Sequence, residues 1–140
     1  MIVGLGTDIV EIPRIEHSLR RYGRRFSDRL LSEEERSLCE GRSWALLVQF
    51  VAGRFAAKEA ILKALGTGLG DARWTDISVG RDLKGKPIVH LSGVTAQRAR
   101  GLGATRIHVS ISHSREYAVA QAIFEVVDGE AIAEDEAGQG

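Results

Sequence analysis

The sequence has little of what would place it in a membrane or an oxidising compartment. It contains one cysteine, Cys39, so an internal disulfide is excluded and a cysteine-based zinc site has no second ligand. It has no apolar run of about 18 residues, which a membrane-spanning helix requires, and no signal-peptide pattern at its start. We therefore expect a cytoplasmic protein that makes no use of a membrane.

Net charge is lacking too, since 19 Lys and Arg balance 19 Asp and Glu in 140 residues. This balance argues against a general nucleic-acid-binding surface, although the charges are unevenly distributed. Arginines are concentrated between Arg14 and Arg29, and the last residues are acidic without any Lys or Arg. We expect a single domain over residues 1–126 and a disordered acidic tail over residues 127–140.

The pattern of apolar residues predicts helices followed by antiparallel hairpins, which is typical of an α+β fold. The opening segment predicts a strand that ends near Asp8 or Val10, and Pro13 suits the first turn of a helix that carries the arginines. Further helices are predicted from a capping box at Ser32 to about Cys39, and from about Ser43 to Leu65. The rest predicts a hairpin in "TDISVGRD" and "KPIVHLSG", a short helix in "VTAQRARGLG", and a second hairpin in "RIHVSISHS" and "EYAVAQAIFEV".

The long helix carries charges whose positions matter. At 100° per residue, Glu59 and Lys63 share a stripe with alanines, apart from Arg54 and Lys58. They form either an ordinary i, i+4 ion pair or two groups that face a ligand. A second stripe consists only of small residues and predicts close packing against another element; its members are Gly53, Ala57, Ala60 and Ala64.

Glycines follow this helix in "KALGTGLG". The lysine precedes the glycines, an order that excludes a Walker phosphate loop. Two interpretations remain: a helix C-cap followed by a turn, or an anion-binding nest of backbone N–H groups beside the Thr67 hydroxyl.

Polar residues in the predicted strands are further candidates. "GLGTD" lacks the third glycine of a dinucleotide fingerprint, and its Asp8 lies among Ile and Val. Asp8 is either a turn or cap residue or, together with Glu59, an oxygen ligand for Mg²⁺. In "HVSISHS" the alternation puts His113 on the opposite face from His108, and spacing alone gives His113 no role beyond a polar surface residue.

Three segments together resemble one family, the holo-acyl-carrier-protein synthases, which are small bacterial phosphopantetheinyl transferases. The segments are "GTDIVEIPRI", "FVAGRFAAKEAILKALGTGLG" and "HVSISHSREYAVAQAI", in this order. The resemblance implies a phosphopantetheinyl transferase fold with one long central helix, assembled as a homotrimer with active sites between subunits. It implies Mg²⁺-dependent transfer of 4′-phosphopantetheine from coenzyme A to a serine of apo acyl carrier protein, which releases adenosine 3′,5′-bisphosphate.

The resemblance also implies roles for individual residues. Asp8 and Glu59 match the family's Mg²⁺ ligands, and Lys63 matches its active-site lysine. Because carrier proteins are acidic, the arginine-rich segment is a candidate docking face. Positions that match coenzyme A contacts are Arg54, Lys63, Gly66, Thr67, Gly68 and His113, and the docking arginines are Arg14, Arg21, Arg24 and Arg25.

Two other functions are compatible with these residues. One is a non-catalytic module that binds a carrier protein or a nucleotide, and the other is a Mg²⁺-dependent hydrolase of nucleotide pyrophosphates. Since Asp8, Glu59 and Lys63 are all present, nothing in the sequence favours loss of activity. A hydrolase would consume coenzyme A without any carrier protein, so the acceptor separates the two enzymes.

Overall fold

The computed structural model describes residues 1–132 and has the expected α+β architecture. The first half is β1 (Ile2–Glu11), α1 (Ile12–Tyr22), α2 (Arg24–Leu30), α3 (Glu33–Cys39) and α4 (Trp44–Ala64). The second half is a 3₁₀ turn (Trp74–Asp76), β2 (Ile77–Arg81), β3 (Pro87–Leu91), α5 (Gly93–Gly101), β4 (Arg106–His113) and β5 (Tyr117–Glu125). No helix within residues 1–132 combines the length and hydropathy needed to cross a bilayer.

Two antiparallel sheets surround α4. Strands β4 and β5 form the predicted second hairpin, and β1 pairs with β5 to give the order β1-β5-β4. Strands β2 and β3 form the other predicted hairpin. The alanines of β5 are buried on the face of the larger sheet that contacts α4.

Close contact between β1 and α4 depends on two glycines of β1. A Cβ atom at Gly6 would lie 2.0 Å from the carbonyl oxygen of Ala60, and one at Gly4 would lie 2.2 Å from that of Ala64. No side chain fits at either position, so these glycines let the strand lie directly on the helix backbone. The predicted small-residue stripe of α4 is confirmed as a close-packing surface, and the contact carries Asp8 to the last turns of α4.

A buried ion pair joins α4 to the elements before and after it. Lys58 and Glu35 are both 0% exposed, with Nζ 2.6 Å from Oε1. Lys58 Nζ also donates to the carbonyl oxygens of Leu30 and Trp74. Glu35 accepts from the N–H of Val79 and closes the predicted capping box of α3. Burial lowers the pKa of Lys58, and the adjacent carboxylate opposes that shift.

The arginine-rich segment was predicted to form one helix, and the structure shows otherwise. It is two helices, α1 and α2, which meet at Gly23. Gly23 has φ of 53° and its N–H donates to the carbonyl oxygen of Leu19, so glycine ends α1 and begins α2 in the left-handed region.

The predicted tail over residues 127–140 is described only as far as residue 132. The N–H of Val127 donates to Thr105 Oγ1 at 2.9 Å, and Glu130 forms an ion pair with Arg106. Residues 127–132 thus follow β5 as a turn held to the sheet. The remainder, residues 133–140, lies outside the described residues, and its disorder stays a prediction.

Candidate active site

Asp8 and Glu59 line one cavity of about 780 Å³. Strand β1 supplies Asp8 and α4 supplies Glu59, while α1 contributes Arg14 to the same cavity. Phe55 and Tyr117 give the cavity an aromatic side. The fold therefore brings together two carboxylates that lie far apart in the sequence, beside a space large enough for a ligand.

Lys63 bridges α4 to β1 through Asp8, which lines the cavity. Its Nζ donates to Asp8 Oδ1 at 2.9 Å and to the carbonyl oxygen of Thr7 at 3.1 Å. The Lys63 side chain is 55% exposed and that of Asp8 is 16% exposed. Within residues 1–132, the i, i+4 ion pair between Lys63 and Glu59 does not form. Glu59 instead accepts a hydrogen bond from the indole Nε1 of Trp74 at 3.0 Å.

The donor set at the cavity fits Mg²⁺. Asp8 Oδ2 and Glu59 Oε2 accept no hydrogen bond from residues 1–132, so each carboxylate keeps one oxygen for a cation. Two carboxylates leave most of an octahedral shell to water and phosphate oxygens, which is how Mg²⁺ is usually held with phosphate substrates. Residues 1–132 contain no cluster of three or more His, Cys, Asp or Glu side chains that could hold a metal ion.

The glycine loop after α4 is a helix cap at its start. The N–H of Thr67 donates to the carbonyl oxygen of Leu62, and that of Gly66 donates to Lys63, which is the Schellman pattern. Gly66 has φ of 75°. These two N–H groups are therefore engaged within the chain, and the nest interpretation is wrong for this part of the loop. The N–H groups of the next three residues, 68–70, make no hydrogen bond within residues 1–132.

Arg98 of α5 holds this loop from outside, which the sequence did not predict. Its Nη1 donates to Thr67 Oγ1 at 3.0 Å and to the carbonyl oxygen of Gly68 at 3.1 Å, and its Nη2 pairs with Asp71 at 3.0 Å. One guanidinium group thus joins three parts of the loop. Sequence gave no signal for it, because the contact depends on how α5 packs.

Arg54 lies away from the cavity. Nine residues of α-helix place it about 180° around α4 from Lys63. It is 6% exposed, its guanidinium stacks 4.2 Å from the Phe50 ring centre, and its Nε donates to the carbonyl oxygen of Val79 at 3.0 Å. Burial lowers the pKa of Arg54 to about 10. Its Nη2 is buried without a hydrogen-bond partner in residues 1–132.

His113, at the end of β4, packs against Gly53 of α4. A Cβ atom at Gly53 would lie 2.6 Å from His113 Nε2, so the imidazole occupies the space that this glycine leaves. Partial loss of solvation lowers the pKa of His113, and the charge of Arg54 adds to the shift. Within one chain, the structure thus separates Arg54 and His113 from Lys63 and the glycine loop, with about 14 Å along the axis of α4 between Arg54 and Lys63.

The four candidate docking arginines are all exposed on α1 and α2. Arg14 lines the cavity itself, whereas the other three continue along the two helices. Among residues 1–132, none of the four forms an ion pair; they are Arg14, Arg21, Arg24 and Arg25.

Comparison with known sequences assigns the family. The profile of the 4′-phosphopantetheinyl transferase superfamily matches residues 4–122, which is most of the chain. The chain belongs to the 4′-phosphopantetheinyl transferase superfamily. Among relatives in this superfamily, the holo-[acyl-carrier-protein] synthase of Koribacter versatilis is 48% identical over 126 residues, which cover 89% of this chain and 99% of that protein. That of Desulfovibrio desulfuricans is 49% identical over 128 residues, covering 91% and 100%.

Solved structures of phosphopantetheinyl transferases have the same fold. The holo-(acyl-carrier-protein) synthase of Bacillus anthracis, in complex with CoA (3′,5′-ADP), aligns with a TM-score of 0.76 and 44% identity. The alignment covers 91% of this chain and 99% of that one. The Helicobacter pylori enzyme in complex with coenzyme A aligns with a TM-score of 0.75 and 33% identity, covering 86% and 99%. The phosphopantetheinyl transferase fold predicted from sequence is confirmed.

Proposed function

We propose that this chain transfers 4′-phosphopantetheine from coenzyme A to a serine hydroxyl of an apo acyl carrier protein. The observation that carries the proposal is that Asp8 and Glu59 line one open cavity and that Lys63 donates to Asp8. The chain that holds these residues matches a holo-[acyl-carrier-protein] synthase over nearly its whole length. The serine oxygen bonds to the phosphorus of the pantetheine phosphate, the pyrophosphate P–O bond breaks, and adenosine 3′,5′-bisphosphate leaves with the bridging oxygen.

Asp8, Glu59 and Lys63 each have a proposed part in this transfer. Mg²⁺, held by Asp8 and Glu59, would neutralise charge on the pyrophosphate oxygens. Lys63 has three N–H donors and uses two on Asp8 and Thr7, so one is left for a phosphate oxygen of the leaving group. The proton of the carrier serine would pass either to a metal-associated water or to Glu59 itself.

We propose a homotrimer in which each active site lies between two chains. The outer face of the larger sheet exposes apolar side chains, with Leu5 64% and Ile9 61% exposed opposite Ile123 and Val119. Such a face favours contact with other copies of the chain. The split of the coenzyme A residues supports the same arrangement, since Arg54 and His113 of one copy would complete the site of its neighbour.

The exposed arginines give the enzyme a surface for an acidic partner. We propose that Arg14, Arg21, Arg24 and Arg25 dock the carrier protein, because Arg14 lines the cavity and the others extend from it along α1 and α2.

The free thiol of Cys39 suits a reducing compartment, and we place the reaction in the cytoplasm.

The experiment is intact-mass analysis of an apo acyl carrier protein incubated with this protein, coenzyme A and Mg²⁺. We expect a gain of one phosphopantetheine group that a chelator abolishes. Glu59→Gln should lose the Mg²⁺-dependent gain, whereas Glu40→Gln, an exposed carboxylate at the end of α3, should not. Loss of coenzyme A without modification of the carrier would mean a hydrolase. Intact, bound coenzyme A with an unmodified carrier would mean a binding module.

A further inference from the structure

Trp74 contacts the carboxylate that the proposed reaction needs most. Its indole Nε1–H donates to Glu59 Oε1 at 3.0 Å. The other oxygen, Oε2, accepts no hydrogen bond from residues 1–132, and Glu59 lines the cavity. The bond therefore fixes the rotation of the carboxyl group and leaves one oxygen available to a ligand.

Trp74 is itself held in place by three neighbours. Its ring packs against Phe55 with centroids 5.9 Å apart, and the Arg29 guanidinium lies 5.8 Å from its centre. Its carbonyl oxygen accepts from the buried Lys58 Nζ at 3.1 Å. Because both its ring and its backbone are restrained, the indole N–H is already in position before substrate binds.

We propose that Trp74 is a positioning residue for the metal-binding carboxylate, holding Glu59 in the orientation that receives Mg²⁺ and the pyrophosphate of coenzyme A. The inference rests on the proposed function. Packing against Phe55 requires only an aromatic ring, whereas the bond to Glu59 requires the indole N–H. Trp74→Phe therefore removes the positioning bond and keeps a ring in its place.

The first test compares Trp74→Phe with Trp44→Phe. Trp44 is a matched control, because its indole also donates to a carboxylate, Glu16 at 2.8 Å, on another part of the surface. A hydrogen bond to a charged group is worth enough to shift a binding constant roughly tenfold. We expect Trp74→Phe to raise the Mg²⁺ concentration for half-maximal transfer about tenfold, with the KM for the carrier protein unchanged. Trp44→Phe should change neither.

The second test needs no change at Trp74. In Trp44→Phe protein, Trp74 is the remaining tryptophan, so its fluorescence can be followed alone. Titration with Mg²⁺ in the presence of adenosine 3′,5′-bisphosphate should change the Trp74 emission, because the ion would bind the Glu59 carboxylate that the indole contacts. Adding Glu59→Gln to this background should abolish the change.

The outcomes separate the inference from the proposed function. A parent protein with no Mg²⁺-dependent transfer would overturn both. An active parent whose half-maximal Mg²⁺ concentration is unchanged in Trp74→Phe, or whose Trp74 emission does not respond to Mg²⁺, would overturn the inference alone. If Trp74→Phe does not fold, the fluorescence titration decides.

Discussion

Helix α4 carries two lysines that each meet a carboxylate from another element. Lys58 and Glu35 are 0% exposed and lie 2.6 Å apart. Lys63 is 55% exposed, Asp8 is 16% exposed, and they lie 2.9 Å apart. The two pairs have the same chemistry and similar distances, but one is enclosed by the fold and the other borders a cavity.

The difference lies in what completes each pair. Lys58 Nζ uses all three donors, on Glu35, Leu30 and Trp74, and Val79 satisfies the other oxygen of Glu35. Lys63 keeps a donor and Asp8 keeps an oxygen, so neither is saturated by residues 1–132. The fold completes the buried pair, whereas the open one keeps the capacity to bind the ligand we propose. Lysine and carboxylate pairing thus serves structure or chemistry according to its contact with solvent.

The largest expected effect is on stability, in Lys58→Met. Removing the cation leaves Glu35 charged and buried without compensation, which typically costs about 3–5 kcal/mol. We expect the free energy of unfolding, measured by urea denaturation, to fall by that amount.

The control is the double variant Lys58→Met with Glu35→Gln, which removes both charges. It should recover part of the loss, since no uncompensated ion remains. A loss of under about 1 kcal/mol in the single variant would place this pair in the class of exposed ion pairs and would remove the contrast with Lys63.

The second prediction concerns Lys63→Ala. An exposed ion pair contributes about 0–1 kcal/mol, so the free energy of unfolding should change by no more than that. Loss of a group that stabilises the leaving bisphosphate should lower kcat/KM by roughly 100-fold or more, measured with apo carrier protein and coenzyme A. Lys84→Ala, in the exposed turn of the β2–β3 hairpin, is the matched control for both quantities. A large stability loss in Lys63→Ala would contradict the division between the two pairs.

Much of the fold followed from local pattern. The long helix was predicted over about 43–65 and is observed over Trp44–Ala64, because its helix-forming residues contain no interior breaker other than Gly53. The break at Gly23 was missed, since a glycine inside a polar helical pattern does not by itself reveal a positive φ. Pairing of β1 with β5 was also outside the reach of local pattern, because it joins the two ends of the domain.

The site was predicted in its residues but not in their contacts. The resemblance marked Asp8, Glu59 and Lys63; the structure brings the two carboxylates to one cavity and pairs Lys63 with Asp8. The choice of partners, Lys63 with Asp8 and Glu59 with Trp74, depends on how β1 and the 3₁₀ turn pack on α4. Helical spacing alone favoured a pair between Glu59 and Lys63, and tertiary contacts changed that preference.

The third prediction concerns the docking arginines, which are exposed to solvent as Lys63 is. Exposed charges steer an acidic partner and are screened by salt. Arg14→Ala with Arg21→Ala should raise the KM for the carrier protein about tenfold at low salt and much less at high salt, with the KM for coenzyme A unchanged. Arg100→Ala, exposed on α5, is the control. If the KM and its salt dependence stayed at parent values, the docking assignment would be wrong.

The fourth prediction tests a pair of intermediate exposure. Arg98 is 22% exposed and Asp71 is 78% exposed, and Arg98 also holds Thr67 and Gly68. Arg98→Ala should therefore act on the loop more than on the fold, raising the KM for coenzyme A about fivefold with little loss of stability. Steady-state kinetics against Arg100→Ala checks this. A decrease in kcat with the KM unchanged would mean that the loop does not bind the nucleotide.

The smallest expected effect is the pH dependence that His113 adds to stability. Partial loss of solvation and the charge of Arg54 hold the pKa of His113 below its ordinary 6.5 in the folded chain. Between the folded pKa and 6.5 the unfolded chain binds the proton more readily, so stability falls as the pH is lowered through this window. Urea denaturation at closely spaced pH values should show this fall in the parent and a shallower one in His113→Gln, while His17→Gln on α1 should resemble the parent. Equal slopes in the parent and His113→Gln would show that this histidine loses no solvation on folding, and would place it with Lys63 among the groups that the fold leaves open.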